Sequence, residues 1–541
     1  MEISRRSLLS TTLAVSAAGA LSARFPATAS AASPPGDVVG KITVGYQGWF
    51  ACVGDGAPIN GWWHWSQNWS QPPSPSNTAI TSWPDMRDYD HGYQTAFGNL
   101  GNGQPATLFS SYDQQTVDVH FGWMRQNGCD TAALQRFNPN SSEGATRDAM
   151  ATKVRGAAEA TGRKFYIMYD VTAWTNMQPE IKTDWTNKMS AHTSSPAYAR
   201  QNGKPVVGIW GFGFTDDNRP WDAATCLDVV NWFKNQGCYV MGGVPTWWRT
   251  GISDSRPGFL DVYHAFNMIS PWMVGRISDA AGSDWFHTTV NVPDQADCDA
   301  HGIDYQPCVL PGDLQSRHRS HGDLMWRQFY NMVRLGAQGI YISMFDEYNE
   351  SNQIAKTAEN ASMVPAGSGL LALDEDGTAC SADYYLRLTA DGGRMLKGQL
   401  PLTATRPTQP TVAATGTVSL RSRANNQYVS APNGSALIAN QPSAGERFDL
   451  LDQGNGTIAL RARSTNQYVC AENAGSQPLI ANRTAIGPWE TFALIRNPDG
   501  TVSLRAQANN NYVCAENAGT RPLIANRTAI GTWEKFDLID N

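Results

Sequence analysis

Short apolar runs alternate with amphipathic segments between about residues 41 and 400. Such a run is typical of a buried parallel strand, and an amphipathic segment is typical of a helix that packs on the sheet. The predicted strands are 42–50, 131–137, 165–169, 206–212, 239–244, 268–277, 305–310 and 340–345. Helical patterns lie between them at 143–161, 221–235 and 324–335, and a last one at 382–397 closes the series.

Strands and helices that alternate in this way predict an α/β fold. Eight strands over roughly 350 residues are the number expected for a (β/α)8 barrel of the TIM type. A doubly wound open sheet is the alternative, but no Gly-x-Gly-x-x-Gly turn follows the first run. We therefore predict a barrel domain over residues 38–399.

Three carboxylates follow the last apolar run within five positions. They are Asp346, Glu347 and Glu350. The C-terminal ends of barrel strands are where such folds place their chemistry. Because like charges repel in a cleft, at least one of these carboxyl groups should have a raised pKa, as a general acid beside a general base requires. A solvated acidic loop is the alternative interpretation.

Residues that can bind sugars follow most of the other predicted strands. The predicted substrate-binding residues are Tyr46, Trp49, Asp55, His64, Trp65, Asp113, Arg136, Asp170, Trp210, Trp247, Trp248, Trp272 and Asp346. A mouth lined by aromatic rings and carboxylates, without a Cys/His triad, indicates a carbohydrate site. His64 could instead be a core histidine, and Arg136 could form a structural salt bridge. No cofactor and no metal is predicted, because no Cys-x-x-Cys or His-x-x-x-His cluster is present.

One motif carries a family resemblance. Phe-Asp-Glu-Tyr-Asn-Glu-Ser-Asn-Gln-Ile at 345–354 resembles the Phe-Asn-Glu-Trp-His-Glu-Gly-Thr-Gln-Ile signature of glycoside hydrolase family 99. The opening Val-Gly-Tyr-Gln-Gly-Trp-Phe at 44–50, with Gly-Asp-Gly at 54–56 and Trp-His-Trp at 63–65, is similar to bacterial secreted proteins of the family 71/99 type. The resemblance covers about residues 40 to 400.

The resemblance implies an endo-acting barrel enzyme that cleaves α-mannosidic bonds with retention and without a carboxylate nucleophile. By position, Glu347 would be the base on the 2-hydroxyl of the sugar, which attacks C1 to give a 1,2-anhydro sugar. Glu350 would protonate the leaving oxygen and then activate water.

Departures from the motif leave the substrate open. Tyr348, Asn349 and Ser351 stand where the family has Trp, His and Gly. An α-1,3-glucan or an arabinan is therefore an alternative to a mannan. If the 2-hydroxyl is cis to the leaving group, a two-carboxylate mechanism with Asp113 or Asp170 as partner is expected. A non-catalytic, lectin-like protein is the alternative from another class, and an esterase is disfavoured because no Gly-x-Ser-x-Gly elbow is present.

The last 125 residues consist of three copies of one sequence repeat. Val-Ser-Leu-Arg at 418 recurs as Ile-Ala-Leu-Arg at 458 and Val-Ser-Leu-Arg at 502, and each copy continues to Leu-Ile-Ala-Asn. Three copies of roughly 40 residues with short alternating strands predict a β-trefoil over 417–541, similar to fascin-like trefoils, that binds polysaccharide. A Pro/Thr-rich linker at 400–416 precedes it. We expect most of the recurring aromatic residues to form its core; they are Tyr428, Tyr468, Tyr512, Trp489 and Trp533.

The N-terminus has the order of an export signal. Arg5-Arg6 precedes an apolar, Ala-rich stretch and Ala-x-Ala cleavage options, which predicts a twin-arginine signal peptide over 1–31 and a secreted protein. The apolar stretch is too short for a good membrane span.

Composition agrees with an extracellular glycan as the partner. The chain of 541 residues has 19 Trp but only 16% charged residues, and a net charge of -7 disfavours nucleic acid. We expect a monomer without a membrane partner.

Nine cysteines leave at least one unpaired. Cys298–Cys308 is the favoured disulfide, Cys226–Cys238 a weaker candidate, and Cys470 and Cys514 are predicted not to pair with each other.

Overall fold

Eight parallel strands close into a barrel in the first part of the chain. The computed structural model describes residues 33–410, 414–432, 434–443, 445–454, 457–497 and 499–540. The barrel strands are β1 Ile42–Tyr46, β2 Thr131–Arg136, β3 Lys164–Asp170, β4 Lys204–Trp210, β5 Tyr239–Val244, β6 Met268–Pro271, β7 Asp304–Tyr305 with Cys308–Val309, and β8 Ile340–Ile342. The predicted signal peptide lies outside the described residues, as do residues 411–413 of the predicted linker.

The seventh strand closes the barrel although it is interrupted. Its first half, Asp304–Tyr305, pairs with β6, and its second half, Cys308–Val309, pairs with β8. Pro307, which has no N–H to donate, lies at the interruption. Since β8 pairs with β1, the ring is complete and the predicted TIM-like barrel is confirmed.

Helices cover the outside of the barrel. They are α1 Gln114–Gln126, α2 Gly144–Thr161, α3 Met177–Asn187, α4 Ala223–Asn235, α5 Leu260–Ala265, α6 Ala280–Phe286, α7 Val292–His301, α8 Asp323–Leu335 and α9 Tyr384–Leu396. The strands are buried on both faces, as β1 and β2 show at every position, because the helices shield one face and the barrel interior the other. Within the described residues no helix is long and apolar enough to cross a membrane.

A second domain of antiparallel strands follows. Its strands are β9 Ala414–Ser422, β10 Tyr428–Ser430, β11 Ile438–Gln441, β12 Phe448–Gly454, β13 Thr457–Ala462, β14 Gln467–Ala471, β15 Leu479–Arg483, β16 Phe492–Arg496, β17 Val502–Ala506, β18 Tyr512–Ala515, β19 Leu523–Arg527 and β20 Phe536–Asp540. Six of them form a closed ring in the order β9, β12, β13, β16, β17, β20 and back to β9. Each sequence repeat adds one hairpin: β10–β11, β14–β15 or β18–β19.

The core of this domain differs from the prediction. Phe448, Phe492 and Phe536, one from each repeat, are completely buried. Trp489 and Trp533 are instead 37% and 36% exposed. Tyr428, Tyr468 and Tyr512 are only partly buried, so the expectation that most of the recurring aromatic residues form the core is wrong.

The predicted disulfides are also wrong. All nine cysteines, each within the described residues, are free and buried. Cys298 lies on α7, in the outer layer, whereas Cys308 lies in β7. Cys226, on α4, and Cys238, just before β5, are likewise unbonded. Short spacing in the sequence does not bring these side chains together because they belong to different layers of the fold.

Candidate active site

Asp346 ties the end of β8 to the end of β1. Its two carboxylate oxygens accept the backbone N–H groups of Gln47 and Gly48, each at 2.8 Å. The side chain is fully buried, and burial raises its pKa to about 6 although the two amides stabilise the charged form. Both of its oxygens are already engaged, so Asp346 holds the site together and is not placed to bind substrate.

Glu347 lies inside the mouth. Its Oε1 accepts a hydrogen bond from Nε2 of Gln47 at 3.0 Å, and the residue is only 6% exposed. Burial raises its pKa well above the ordinary value, and the charge of Glu350 raises it further, whereas the Gln47 hydrogen bond opposes the shift. Asp346 and Glu347 thus both depend on Gln47, which sequence reasoning missed.

Glu350 lies at the entrance. The chain makes a tight turn after Glu347, whose carbonyl accepts the amides of Glu350 and Asn352, each at 3.3 Å. This turn places Glu350 further from the barrel interior than Glu347. Glu350 is exposed, yet partial removal from water raises its pKa, and the charge of Asp313 acts in the same direction. The two glutamates therefore form a pair with raised pKa values, one within and one at the rim.

The raised pKa of Glu347 has a consequence for stability. The folded protein holds this proton more tightly than the unfolded chain, so the group favours folding at low pH, and that contribution is lost as the pH rises through the folded pKa. We expect Glu347→Gln to raise the melting temperature of the barrel at about pH 8.5 much more than at about pH 5. Scanning calorimetry at both pH values would measure this. A pH-independent difference would contradict the shifted pKa.

Asp313 follows β7 and was not among the site residues predicted from the sequence. Its Oδ1 accepts the amide of Gln315 at 2.8 Å, and its Oδ2 accepts the amide of Ser316 at 3.2 Å and its hydroxyl at 2.6 Å. A Gly-Asp pair directly after the seventh apolar run was the available signal. The carboxylate raises the pKa of Glu350 from outside the glutamate pair.

Asp313→Asn should therefore change the pH dependence of activity without abolishing it. Removing the negative charge lowers the pKa of Glu350, so Glu350 loses its proton at a lower pH. We expect the alkaline limb of the profile of kcat/KM to move to lower pH, with little change in the maximum. An unshifted limb would show that Glu350 is not the group whose ionisation limits activity.

An aromatic cluster flanks the carboxylates on the β1 and β2 side. His64 stacks on Trp49 with ring centroids 3.8 Å apart, and the guanidinium of Arg147 lies 4.3 Å from the ring of Phe137 and 4.9 Å from that of Trp63. Burial, aided by the charge of Arg147, lowers the pKa of His64 to about 3, so the imidazole is neutral. In the described structure, Nε2 of His64 and Nε1 of Trp49 are buried without a partner.

A second group lies past β3 and β4. Asp170 accepts the amide of Thr172 at 2.9 Å, and burial raises its pKa. Arg219 donates to the hydroxyl of Thr172 at 2.7 Å and covers the ring of Trp210 at 4.5 Å. Trp272 meets Trp210 edge to face at 5.2 Å. These residues form an aromatic wall that includes a carboxyl group.

The two alternative partner carboxylates lie in different surroundings. Burial raises the pKa of the Tyr341 hydroxyl in β8, and the charges of Glu347 and Asp170 act in the same direction. Asp113 precedes α1 and accepts the hydroxyl of Tyr93 at 3.2 Å. Of the predicted alternatives, Asp170 is the carboxylate at the C-terminal end of a barrel strand, β3, whereas Asp113 precedes a helix.

Five predicted substrate-binding residues have their polar atoms satisfied by the protein. The hydroxyl of Tyr46 is hydrogen-bonded to His120 at 3.0 Å, and the indole N–H groups of Trp65 and Trp248 donate to the Phe109 carbonyl at 3.0 Å and to Asp294 at 2.9 Å. Asp55 accepts the amides of Cys52 at 2.8 Å and Ala57 at 2.7 Å. Arg136 donates to Asp148 at 2.7 Å and to both carboxylate oxygens of Asp184. The Arg136 contacts are the structural salt bridge that the sequence left as an alternative. We assign these five to the framework rather than to the substrate surface.

Trp247 lies at the rim beyond β5. It is partly buried, and its ring meets the 56%-exposed Trp285 of α6 edge to face at 6.4 Å.

Within the described residues, the one group of side chains close enough to hold a metal ion is His264, Asp297 and His301, on α5 and α7. These helices belong to the outer layer and not to the mouth.

Comparisons with known proteins give weak likenesses. No protein-family model and no curated protein matches the chain. The GH99 endo-alpha-mannosidase from Bacteroides thetaiotaomicron is 13% identical, with a TM-score of 0.46 over 67% of this chain and 99% of that one. The designed threefold-symmetric protein ThreeFoil is 24% identical over 23% of this chain and 99% of its own, with a TM-score of 0.22. The Polyporus squamosus lectin is 14% identical over 24% and 50% of the two chains, with a TM-score of 0.22. At such scores the description of both domains depends on the strand pairing of this chain itself.

Proposed function

We propose that this protein is a glycoside hydrolase that cleaves an α-linked polysaccharide with retention of configuration. The observation that carries the proposal is the paired arrangement of a buried Glu347, held by Gln47, with Glu350 at the entrance of the same mouth. Two neighbouring carboxyl groups with raised pKa values retain one proton to a higher pH than isolated carboxyl groups do; burial favours that proton on Glu347, and the mechanism requires it on Glu350 once the sugar is bound. The motif resemblance to family 99 supports the assignment of roles.

In the first step, Glu347 acts as base. Its carboxylate removes the proton of the 2-hydroxyl, and the resulting oxygen attacks C1 from the face opposite the leaving group. Glu350 gives its proton to the glycosidic oxygen as the C1–O bond breaks, so a 1,2-anhydro sugar and a free hydroxyl form. The hydrogen bond from Gln47 favours the ionised form of Glu347 that this step needs.

In the second step the roles reverse. Glu350, now a carboxylate, takes a proton from a water molecule that attacks C1, and Glu347 returns its proton to O2 as the three-membered ring opens. Two inversions at C1 give net retention. The scheme requires the 2-hydroxyl to be trans to the leaving group, a condition that the α-manno configuration meets.

The substrate would be bound by buried polar side-chain atoms that have no hydrogen-bond partner in the described protein. Nε1 of Trp49, Nε2 of His64 and Nε1 of Trp210 are buried polar atoms that hydroxyl groups of a sugar or water would satisfy. Trp272 and Trp247 are partly buried, and their rings are the further candidates for stacking on a sugar.

A substrate panel would test the proposal. Wild type is incubated with purified α-mannans, α-glucans and arabinans, and the configuration of the first product is read by proton NMR. A 2-deoxy analogue of the best substrate is the sharpest probe, because it lacks the attacking hydroxyl and should not be cleaved. Cleavage of that analogue with retention would indicate a carboxylate nucleophile, and Asp170 would then be the residue to substitute.

We further propose that the second domain is a β-trefoil that binds glycan, and that the protein is exported. Three four-stranded units, a six-stranded ring and one hairpin per unit support the trefoil. Export is supported by the N-terminal sequence alone, and detection of a shortened chain in the culture medium would test it.

A further inference from the structure

The second repeat of the C-terminal domain rests on the barrel domain. Nη1 of Arg87 donates to the carbonyl of Thr484 at 2.9 Å, and Nζ of Lys356 lies 3.4 Å from the carbonyl of Ile486. Both cations are fixed from the barrel side, since Arg87 is paired with Asp85 at 2.8 Å and Lys356 with Asp88 at 2.6 Å. The segment after β15 is therefore held at a defined place beside α1.

A cavity of about 640 Å³ opens next to this joint. Its wall on the barrel side comes from α1, with Gln114, Asp118 and Trp123. Its opposite wall comes from the second repeat, with Arg483 and Trp489. The volume lies within the range of pockets that hold small ligands, roughly 300–1,000 Å³.

The lining has the chemistry of a sugar site. Trp489 is 37% exposed, so one part of its ring is free to stack on the C–H face of a pyranose. Gln114 and Asp118 are exposed, and Nε2 of Gln114 donates to Oδ1 of Asp118 at 2.9 Å, so this pair offers the Gln114 amide oxygen and Asp118 Oδ2 to the hydroxyls of that ring, beside the guanidinium of Arg483. The cleft is lined by four carboxylates, Asp88, Asp90, Asp118 and Glu490, and by the two guanidinium groups of Arg87 and Arg483, so it disfavours an anion and suits a neutral polar ligand.

The third repeat provides an internal comparison. It has the same Arg-Thr-Ala-Ile-Gly-x-Trp-Glu sequence at 527–534, and Arg527 pairs with Glu516 at 2.9 Å as Arg483 does with Glu472. Trp533 is 36% exposed, which matches Trp489. The two repeats therefore present the same local surface, but it is the second whose tryptophan faces helix α1 across a cavity.

We propose that the cleft between α1 and the second repeat is a carbohydrate-binding subsite, formed jointly by the two domains and separate from the catalytic mouth. It rests on the proposed function for the class of ligand. A subsite built from both domains fixes a bound chain relative to the barrel, whereas a site on one repeat alone would only bring the enzyme near its polymer.

Binding to a glycan microarray would test this proposal. The full chain with Glu347→Gln is applied to arrayed microbial and plant oligosaccharides, and the strongest glycan is then titrated by calorimetry. In that background, Trp489→Ala should weaken binding about tenfold, and Asp118→Ala, on the barrel side, about threefold. Trp533→Ala is the matched control and should change binding less than twofold, about the precision of such a titration. Unchanged melting temperatures would show that the variants are folded.

Three results would overturn the subsite. They are binding by Trp489→Ala equal to that of its parent, equal losses in Trp489→Ala and Trp533→Ala, and no binding to any arrayed glycan. Hydrolysis is measured separately with wild-type Glu347. If no arrayed glycan is cleaved while binding still depends on Trp489 and Asp118, the proposed hydrolase fails and the subsite stands. If cleavage depends on Glu347 but Trp489→Ala does not change binding, the subsite fails and the proposed hydrolase stands.

Discussion

Glu350→Gln is expected to lower kcat/KM by about 10³-fold or more, and Glu347→Gln by a similar factor. General acid and base catalysis contribute about 10²–10⁴-fold each, and neither amide can take up or release the proton. Because Glu350 protonates the leaving oxygen, its loss should be milder for an aryl glycoside whose leaving group needs no proton. The loss in Glu347→Gln should be the same for both kinds of substrate, since the 2-hydroxyl must be deprotonated in each.

The two variants can be compared in one experiment. Initial rates are measured for the natural polymer and for a dinitrophenyl glycoside of the same sugar. Glu159→Gln is a suitable control, because Glu159 lies exposed on the outer helix α2, where it pairs with Arg155 at 3.0 Å. It should keep activity within about twofold of wild type. If both catalytic variants keep more than about a tenth of wild-type activity on the polymer, the paired-glutamate mechanism is wrong.

Much of the barrel could be predicted because its strands are buried on both faces. Such strands appear as continuous apolar runs, and all eight runs proved to contain a strand. Their ends were less predictable. The run 42–50 continues beyond Tyr46, where the pairing stops, because residues 47–50 are buried without pairing as a strand. In the run 268–277 the pairing stops at Pro271, and Gly275 and Arg276 are exposed.

The carboxylate cluster was visible in the sequence, but its surroundings were not. Gln47 is neutral and common, and only its position after β1 connects it to Glu347, which is 300 residues away. Trp65 and Trp248 resemble rim residues in the sequence, yet each donates its indole N–H to a buried acceptor far along the chain. Whether an aromatic residue after a strand faces substrate or core depends on loop packing, which local pattern does not encode.

Asp346→Ala is expected to damage both stability and activity. The carboxylate accepts two backbone amides, and its removal leaves the N–H groups of Gln47 and Gly48 buried without their acceptor. Each orphaned group costs about 1–3 kcal/mol, so we expect the barrel to lose about 2–6 kcal/mol of its free energy of unfolding. The segment that carries Gln47 would also shift, and Glu347 would lose the hydrogen bond that favours its charged form.

Asp55→Ala separates the two effects. Asp55 likewise accepts two backbone amides, those of Cys52 and Ala57, at 2.8 and 2.7 Å. Both variants should therefore lower the melting temperature of the barrel, as calorimetry would show. Only Asp346→Ala should also move the acid limb of the pH profile to higher pH, because the pKa of Glu347 rises when the Gln47 hydrogen bond is lost. The loss of the Asp346 charge acts in the opposite direction, but its influence on Glu347 is smaller than that of the Gln47 hydrogen bond. Equal pH profiles in the two variants would mean that Asp346 supports the fold alone. A shift confined to Asp346→Ala would make it a positioning residue that acts on Glu347 through Gln47.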